Sequence, residues 1–175
     1  MLRPYKLGVT ISVFPAYVVH GLGGERRNRA PAGASGSEEM TGLAPEQHQR
    51  LLAAARAMLD KAYAPFSHFQ VGAAVLTQRG GIYGGCNVEN SSYGLTICAE
   101  RSAVFAAVAA EGPSMKIRAV AVCALHQGKD QLASPCGACR QVIFEFGSQA
   151  VVLFQGQDGP QQATISDLLP AGFRL

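Results

Sequence analysis

An apolar run from Ile117 to Leu125 constrains the fold more than any other segment of the chain. A strand that is apolar along its length is typical of the middle of a sheet, where both faces are covered. Helical patterns occur on both sides of this run, at residues 45–63, 99–110 and 136–146. The run therefore predicts a central strand in a sheet that carries helices on its faces.

Four further segments have the pattern of strands, at residues 71–77, 82–88, 150–154 and 161–164. The turn signal Arg79-Gly80-Gly81 predicts that the first two form a hairpin. The element order α-β-β-α-β-α-β-β predicts an α/β fold, a three-layer α/β/α sandwich with a mixed sheet of about five strands. Ser166 is expected to cap a final helical turn.

The first 39 of the 175 residues differ from the rest, since an apolar stretch interrupted by Pro15 is followed by a segment rich in Gly, Ala, Arg and Ser. We expect a flexible extension over 1–39 and one catalytic domain over 40–175. A start at Met40, with the upstream residues as a start-site artefact, is favoured over a secretory signal or an organellar leader. Neither alternative has a convincing signature, because no cleavage site follows the apolar stretch and Glu25, Glu38 and Glu39 are acidic.

Charge and hydropathy argue against two classes of partner. From Met40 onward the chain has ten basic and nine acidic residues, and it lacks the basic stripe of a protein that grips a phosphate backbone. No apolar run approaches the roughly 20 residues that span a bilayer. We therefore expect a small uncharged ligand, with no nucleic acid and no membrane.

The chemistry is concentrated in three of the five cysteines. Cys98, Cys136 and Cys139 are each expected at the start of a helix, and thiolates in a tetrahedral set are preferred zinc ligands. Three protein ligands leave the fourth position open, which is typical of a catalytic zinc site. A closed structural site would need a fourth ligand, for which the spare candidates are Cys86, Cys123, His68 and His126.

Glu100 lies two residues after Cys98 and is predicted to be a general acid and base beside the metal. Taken alone, it would be a first-turn glutamate favoured by the helix dipole. Three thiolates on one divalent ion leave the site negative, so Arg101 and Arg140 are expected to offset the charge, in part by hydrogen bonds to the sulfurs.

Four segments together resemble the cytidine deaminase family: N-V-E-N-S-S-Y at 87–93, C-A-E-R at 98–101, P-C-G-A-C-R-Q at 135–141 and D-L-L-P-A-G-F at 167–173. The resemblance covers about residues 45–175. It implies hydrolytic deamination of cytidine and 2′-deoxycytidine to the uridines in pyrimidine salvage, with one zinc ion per subunit and release of ammonia. Glu100 would take a proton from the attacking water, deliver it to the ring nitrogen and later protonate the leaving amine.

The resemblance also assigns substrate contacts. It places Asn87 and Glu89 on the ribose hydroxyls, with Asn90 and Tyr93 in the same loop, and Phe69 against the pyrimidine. A cysteine rather than a histidine at position 98 is similar to the short, all-cysteine form, a cytoplasmic homotetramer whose active sites are shared between subunits.

Two details at the edge of the site come from the same resemblance. Phe173 resembles a residue that reaches into a neighbouring subunit. Phe66 departs from the tyrosine common in relatives, so a hydroxyl contact is expected to be missing.

Two alternatives stay open at this stage. One is a deaminase of another substrate, such as an aminopyrimidine nucleoside antibiotic or a base in RNA. The other is a non-catalytic zinc module, in which Glu100 is incidental and a fourth protein ligand closes the site.

Overall fold

The computed structural model of the protein describes residues 42–174. The predicted extension over 1–39 and the proposed start at Met40 lie outside these residues. In chain order the elements are α1 Pro45–Ala57, β1 Phe69–Thr77, β2 Ile82–Cys86, α2 Ala99–Glu111, β3 Ile117–His126, β4 Lys129–Asp130, α3 Gly137–Phe146, β5 Val151–Gly156, β6 Gly159–Thr164 and α4 Ile165–Leu168.

The sheet has the order β2-β1-β3-β5-β6, and the two-residue β4 pairs with the end of β3 outside this path. β3 and β5 are parallel and the other pairs are antiparallel, so the sheet is mixed as predicted. The apolar run is β3, which lies in the middle of the sheet between β1 and β5. The mixed sheet and the central position of its most apolar strand are confirmed, and the short β4 brings the predicted number of about five strands to six.

Each face of the sheet has its own core. Alternate residues of β1 point to opposite faces, so Ala73 and Val75 pack towards α2 and α3 while Ala74 and Leu76 pack towards α1. On the α1 face, Leu51 is completely buried against this second set. The predicted three-layer arrangement follows from this alternation.

Two glycines set how closely the helices approach the sheet. A Cβ atom on Gly85 would lie 2.2 Å from the backbone nitrogen of Ala103 in α2, and one on Gly72 would lie 2.2 Å from the carbonyl oxygen of Ala55 in α1. Both distances are far inside van der Waals contact, so only glycine fits at either position. Through Gly85, the strand β2 fixes the position of α2, and α2 carries part of the site described below.

The prediction for the last helix was wrong at its cap. Thr164, not Ser166, is the N-cap residue of α4, because its side-chain oxygen accepts a hydrogen bond from the backbone nitrogen of Asp167 at 3.2 Å. Ser166 lies inside the helical turn and donates to the carbonyl oxygen of Ser148. Thr164 also ends β6, so one residue terminates the strand and starts the helix.

Candidate active site

Two helix N-termini meet at the candidate site. Cys98 is the N-cap residue of α2 and Cys136 is the N-cap residue of α3, as their sequence positions predicted. Cys139 is buried in the first turn of α3. Because α2 and α3 pack against each other, the positive ends of two helix dipoles lie next to the three thiols and favour their ionised forms.

The three sulfur atoms have the spacing of a zinc site. They all lie within 4.8 Å of one another, and the Cys98 and Cys136 sulfurs are 3.9 Å apart. Two sulfurs that bind one zinc ion tetrahedrally at about 2.3 Å are about 3.8 Å apart. The donor set and its geometry therefore fit one zinc ion.

The set contains three ligands and no fourth. Over residues 42–174, no other histidine, cysteine or carboxylate joins this group, so the spare candidates Cys86, Cys123, His68 and His126 lie outside it. An ion held here keeps one position for a non-protein ligand, which is the arrangement of a catalytic site.

The thiols share their charge unequally before any metal binds. The pKa of Cys98 is lowered to about 5, first because the thiol of Cys139 donates a hydrogen bond to it and further because Arg101 lies beside it. The pKa of Cys139 is raised for the matching reason, since it holds the shared proton, and burial adds to the effect. Both shifts favour the thiolate on Cys98 over the thiolate on Cys139.

The two arginines have different partners. Arg101 places Nη2 3.7 Å from the sulfur of Cys98 and 3.2 Å from the carbonyl oxygen of Thr96. Arg140 instead donates from Nε to the carbonyl oxygen of Pro135 and from Nη1 to that of Leu168, at 2.8 Å each. Arg140 thus braces the residue before Cys136, whereas Arg101 contacts a sulfur directly.

Glu100 faces a cavity of about 210 Å³ that the Cys98 and Cys136 side chains also line. Its side chain is only 4% exposed, and burial raises the pKa of its carboxyl group. A first-turn glutamate that served the helix dipole alone would remain in solvent. A buried carboxyl beside three thiols and an open cavity is placed for proton transfer.

Asn87 and Phe69 line the same cavity from the side of the sheet. The Asn87 amide is buried and bridges β1, since Oδ1 accepts from the backbone nitrogen of Val71 and Nδ2 donates to the carbonyl oxygen of Phe69, both at 2.8 Å. One acceptor lone pair and one donor hydrogen of this amide are left for a ligand.

A loop from Asn87 to Cys98 returns to its own start and closes one side of the site. Val88 and Ile97 exchange two backbone hydrogen bonds, of 2.9 and 3.0 Å, at its base. Asn90 orders the interior of this loop, because its side-chain oxygen accepts from the backbone nitrogen of Ser92. The loop therefore has a fixed shape without any ligand.

Four of the residues predicted to bind substrate or reach a neighbouring subunit do not line the cavity, namely Asn90 in the loop just described and Glu89, Tyr93 and Phe173. Glu89 turns to the segment before β1, where the backbone nitrogens of Phe66 and Ser67 donate to its carboxylate at 2.8 and 3.3 Å. Tyr93 is 77% exposed and packs edge to face on the ring of Phe66. Phe173 is 68% exposed near the end of the chain.

Several residues around the cavity carry no recognisable sequence signal. Thr96, Leu132 and Ser134 line it, and Ser67 donates a hydrogen bond to Glu89. Isolated serines, threonines and leucines in loops have no spacing that marks them as part of a site. A larger groove of about 490 Å³, lined by Lys116, Arg118 and Arg174 among others, contains none of the predicted site residues.

No helix between residues 42 and 174 combines the length and apolar character needed to cross a membrane.

Comparison with known proteins gives concordant matches. Residues 45–155 match the family model described as the cytidine and deoxycytidylate deaminase zinc-binding region. The chain is 46% identical over 127 residues to a cytidine deaminase of Sporosarcina psychrophila, covering 71% of this chain and 90% of the relative. It is 44% identical over 128 residues to a probable cytidine deaminase of Dictyostelium discoideum, covering 73% and 84%.

A solved structure gives the same result in three dimensions. The crystal structure of cytidine deaminase from Burkholderia pseudomallei matches with a TM-score of 0.64 and 45% identity, covering 72% of this chain and 98% of that one.

Proposed function

Since the chain belongs to the cytidine and deoxycytidylate deaminase family, we propose that it hydrolyses cytidine and 2′-deoxycytidine to uridine and 2′-deoxyuridine and releases ammonia. The observation that carries this proposal is the buried carboxyl group of Glu100, which shares a cavity with the Cys98 and Cys136 side chains. A structural zinc module has no use for a buried carboxyl at that position, because the burial of a charge is costly.

The zinc ion would be held by Cys98, Cys136 and Cys139. A zinc ion bound there would lower the pKa of a bound water molecule to about 7. Glu100 accepts a proton from the attacking water and delivers it to the ring nitrogen of the pyrimidine. After attack at the carbon that bears the amino group, Glu100 takes the remaining proton from the new hydroxyl group and passes it to the amine, so that the C–N bond breaks, the C=O bond forms and ammonia leaves. Burial raises the pKa of Glu100, which makes its carboxylate a stronger base than that of an exposed glutamate and supports proton uptake from water.

The cavity supports a neutral nucleoside as substrate. Among the described residues that line it there is no lysine or arginine to pair with a phosphate group. Asn87 uses its remaining donor and acceptor on the ribose, Glu89 binds a second hydroxyl group, and Phe69 packs against the pyrimidine ring. Asn90 and Tyr93 complete the ribose side of the loop.

The same chemistry supports a place for the enzyme in the cell. Deamination of free nucleosides is a reaction of pyrimidine salvage, and the three thiol ligands need a reducing compartment such as the cytoplasm.

The catalytic domain is proposed to comprise residues 40–175. Mass spectrometry of the protein expressed from its own locus tests the start, and a chain that begins well upstream of Met40 would contradict it.

Exposed apolar side chains support a homotetramer with shared active sites. Phe66, Tyr93, Leu95 and Phe105 are each at least 50% exposed in the single chain, and so is Phe173. Several large apolar groups on one small protein are typical of a surface that another protein covers. A second copy of the chain is the proposed partner, with Phe173 reaching towards the neighbouring site.

A substrate panel with zinc measured in parallel tests the proposed function. Cytidine and 2′-deoxycytidine should lose the absorbance of the cytidine band, with about one zinc ion per chain. CMP, free cytosine and cytidine in RNA should react far more slowly. Zinc binding without turnover of any substrate would favour the non-catalytic module, and selective turnover of an aminopyrimidine antibiotic would favour a different deaminase.

A further inference from the structure

The hydroxyl group of Ser67 lies between a residue proposed to bind ribose and one proposed to bind the pyrimidine ring. It donates a hydrogen bond to Oε1 of Glu89 and accepts one from the backbone nitrogen of Phe69 at 3.0 Å. One hydroxyl group donates a single hydrogen and accepts through its lone pairs, so both contacts exist at once. Ser67 therefore links the carboxylate of Glu89 directly to the backbone of Phe69.

The other side of Phe69 is held by the second proposed ribose ligand. The carbonyl oxygen of Phe69 accepts from Nδ2 of Asn87 at 2.8 Å. Both peptide groups that flank the Phe69 side chain are thus tied to the ribose loop, one through Ser67 and Glu89 and one through Asn87. A shift of either ribose ligand is transmitted to the aromatic ring that lines the cavity.

We propose that Ser67 is a positioning residue that couples recognition of the ribose to placement of the pyrimidine ring. This inference rests on the proposed function, because it takes cytidine as the substrate. Ser67 does not touch the reacting atoms, and its effect is exerted through Glu89 and Phe69. It holds Oε1 of Glu89 while the backbone nitrogens of Phe66 and Ser67 hold Oε2, so it adds a second anchor to one orientation of the carboxylate.

The turn at His68 is held by backbone contacts, so the Ser67 hydroxyl group is not needed only to form the turn. His68 has a φ of 55°, a conformation that few residues other than glycine adopt, and its nitrogen donates to the carbonyl oxygen of Ala64 at 3.1 Å. These backbone features do not use the Ser67 side chain. Removal of the hydroxyl group should therefore leave these backbone features in place and release Oε1 of Glu89, while Oε2 keeps its bonds to the backbone nitrogens of Phe66 and Ser67.

The test compares cytidine with 2′,3′-dideoxycytidine, which lacks both secondary hydroxyl groups of the ribose. In Ser67→Ala we expect KM for cytidine to rise about tenfold, the size of effect given by the loss of one hydrogen bond to a charged group. The kcat value should stay within about twofold, since the reacting groups are untouched. The KM for the dideoxy compound should change much less, so the preference for cytidine falls.

Three further variants separate positioning from general damage. Ser67→Thr keeps the hydroxyl group and should restore the preference. Ser166→Ala removes a serine hydroxyl group that bonds the backbone carbonyl of Ser148, at a residue that does not line the cavity, and should leave KM unchanged. In a Glu89→Ala background, Ser67→Ala should change KM for cytidine less than twofold, because the group it positions is gone.

The outcomes that overturn the inference are distinct. Equal losses with cytidine and the dideoxy compound, or a fall in kcat alone, would assign Ser67 a structural role and refute the coupling. If Ser67→Ala does not fold, the test is the preference of Ser67→Thr for cytidine over the dideoxy compound. A preference as low as that of Glu89→Ala refutes the inference. A wild-type protein that binds zinc but does not deaminate cytidine would overturn the proposed function itself.

Discussion

Glu100 is the single residue on which the chemistry depends most. Its carboxyl group is buried at the first turn of α2, next to a thiol that ionises readily. Burial of an ionisable group costs free energy, so the folded protein favours the protonated carboxyl group. The same environment that makes Glu100 a proton carrier therefore makes it a weak point in stability.

Replacement of Glu100 by glutamine should separate metal binding from catalysis. Glutamine has nearly the same shape and leaves the three cysteines in place, so Glu100→Gln should keep about one zinc ion per chain. Turnover of cytidine should fall by about 10²–10⁴-fold, the usual contribution of general acid–base catalysis. Metal analysis and a spectrophotometric assay on one preparation measure both, and near-normal turnover with zinc bound would disprove the proton-transfer role.

Stability of the metal-free protein gives a second, independent test of Glu100. The pKa of the folded-state carboxyl group is raised, so the folded protein loses stability as pH rises through that pKa and the group ionises. Glutamine stays neutral, so with chelator present the Tm of Glu100→Gln should exceed that of the wild type at pH 7. The difference should vanish below the ordinary glutamate pKa of about 4.3. A Tm difference that is constant from pH 4 to pH 8 would contradict burial as the cause.

At the scale of elements, the packing of α2 on β2 holds the site in shape. The N-terminus of α2 supplies Cys98 and Glu100, while α3 supplies the other two ligands. Gly85 allows α2 to touch the sheet, and Gly72 allows the same for α1 on the opposite face. The two glycines are equally crowded, but only Gly85 contacts an element that carries ligands.

This difference makes Gly72→Ala the matched control for Gly85→Ala. Both should lower the free energy of unfolding by about 1–3 kcal/mol, because each methyl group meets helix backbone. Only Gly85→Ala should also weaken zinc binding to the folded protein, since it displaces α2 from α3. Denaturant titration and competition with a zinc chelator measure the two effects, and equal zinc affinities would refute the link between β2 packing and the metal site.

At the scale of the whole molecule, the exposed apolar side chains are the observation on which the proposed homotetramer rests. A single chain leaves Tyr93 and Phe173 largely exposed, although both belong to segments that resemble the family's site motifs. A homotetramer with shared active sites accounts for both observations. If neighbouring subunits complete each site, then defects in two different subunits can compensate.

Subunit mixing tests the shared site directly. Glu100→Gln chains lack the proton carrier but keep Phe173, whereas Phe173→Ala chains have the opposite defect. Refolded together, they should form some sites that combine an intact Glu100 with an intact Phe173, so activity should exceed the average of the separate proteins. Light scattering should give a mass of about four chains. Strict averaging would show that each site is built from one chain.

The fold was largely predictable because its strongest signals are local. The apolar run at 117–125 could lie only where both faces are covered, and β3 does. Helix starts at Cys98 and Cys136 followed from the patterns after them. The N-cap of α4 was predicted wrongly because serine and threonine are both favoured N-cap residues, and Ser166 and Thr164 are two residues apart. Thr164 is the N-cap because β6 ends there and the helix starts at the next residue.

The sequence by itself determined the donor set, since the three thiols that it placed at helix starts lie together in the structure, and it identified Glu100 as the candidate acid–base group. It did not determine which groups the polar side chains would bond in the folded protein. Arg140 bonds two backbone carbonyl groups rather than a sulfur, and Glu89 is held by Ser67, because such contacts depend on segments that only folding brings together. The spacing of residues along a helix is fixed by local geometry, whereas the orientation of a long polar side chain depends on its neighbours in space. The tertiary structure therefore decided how the site is braced and how its parts are coupled.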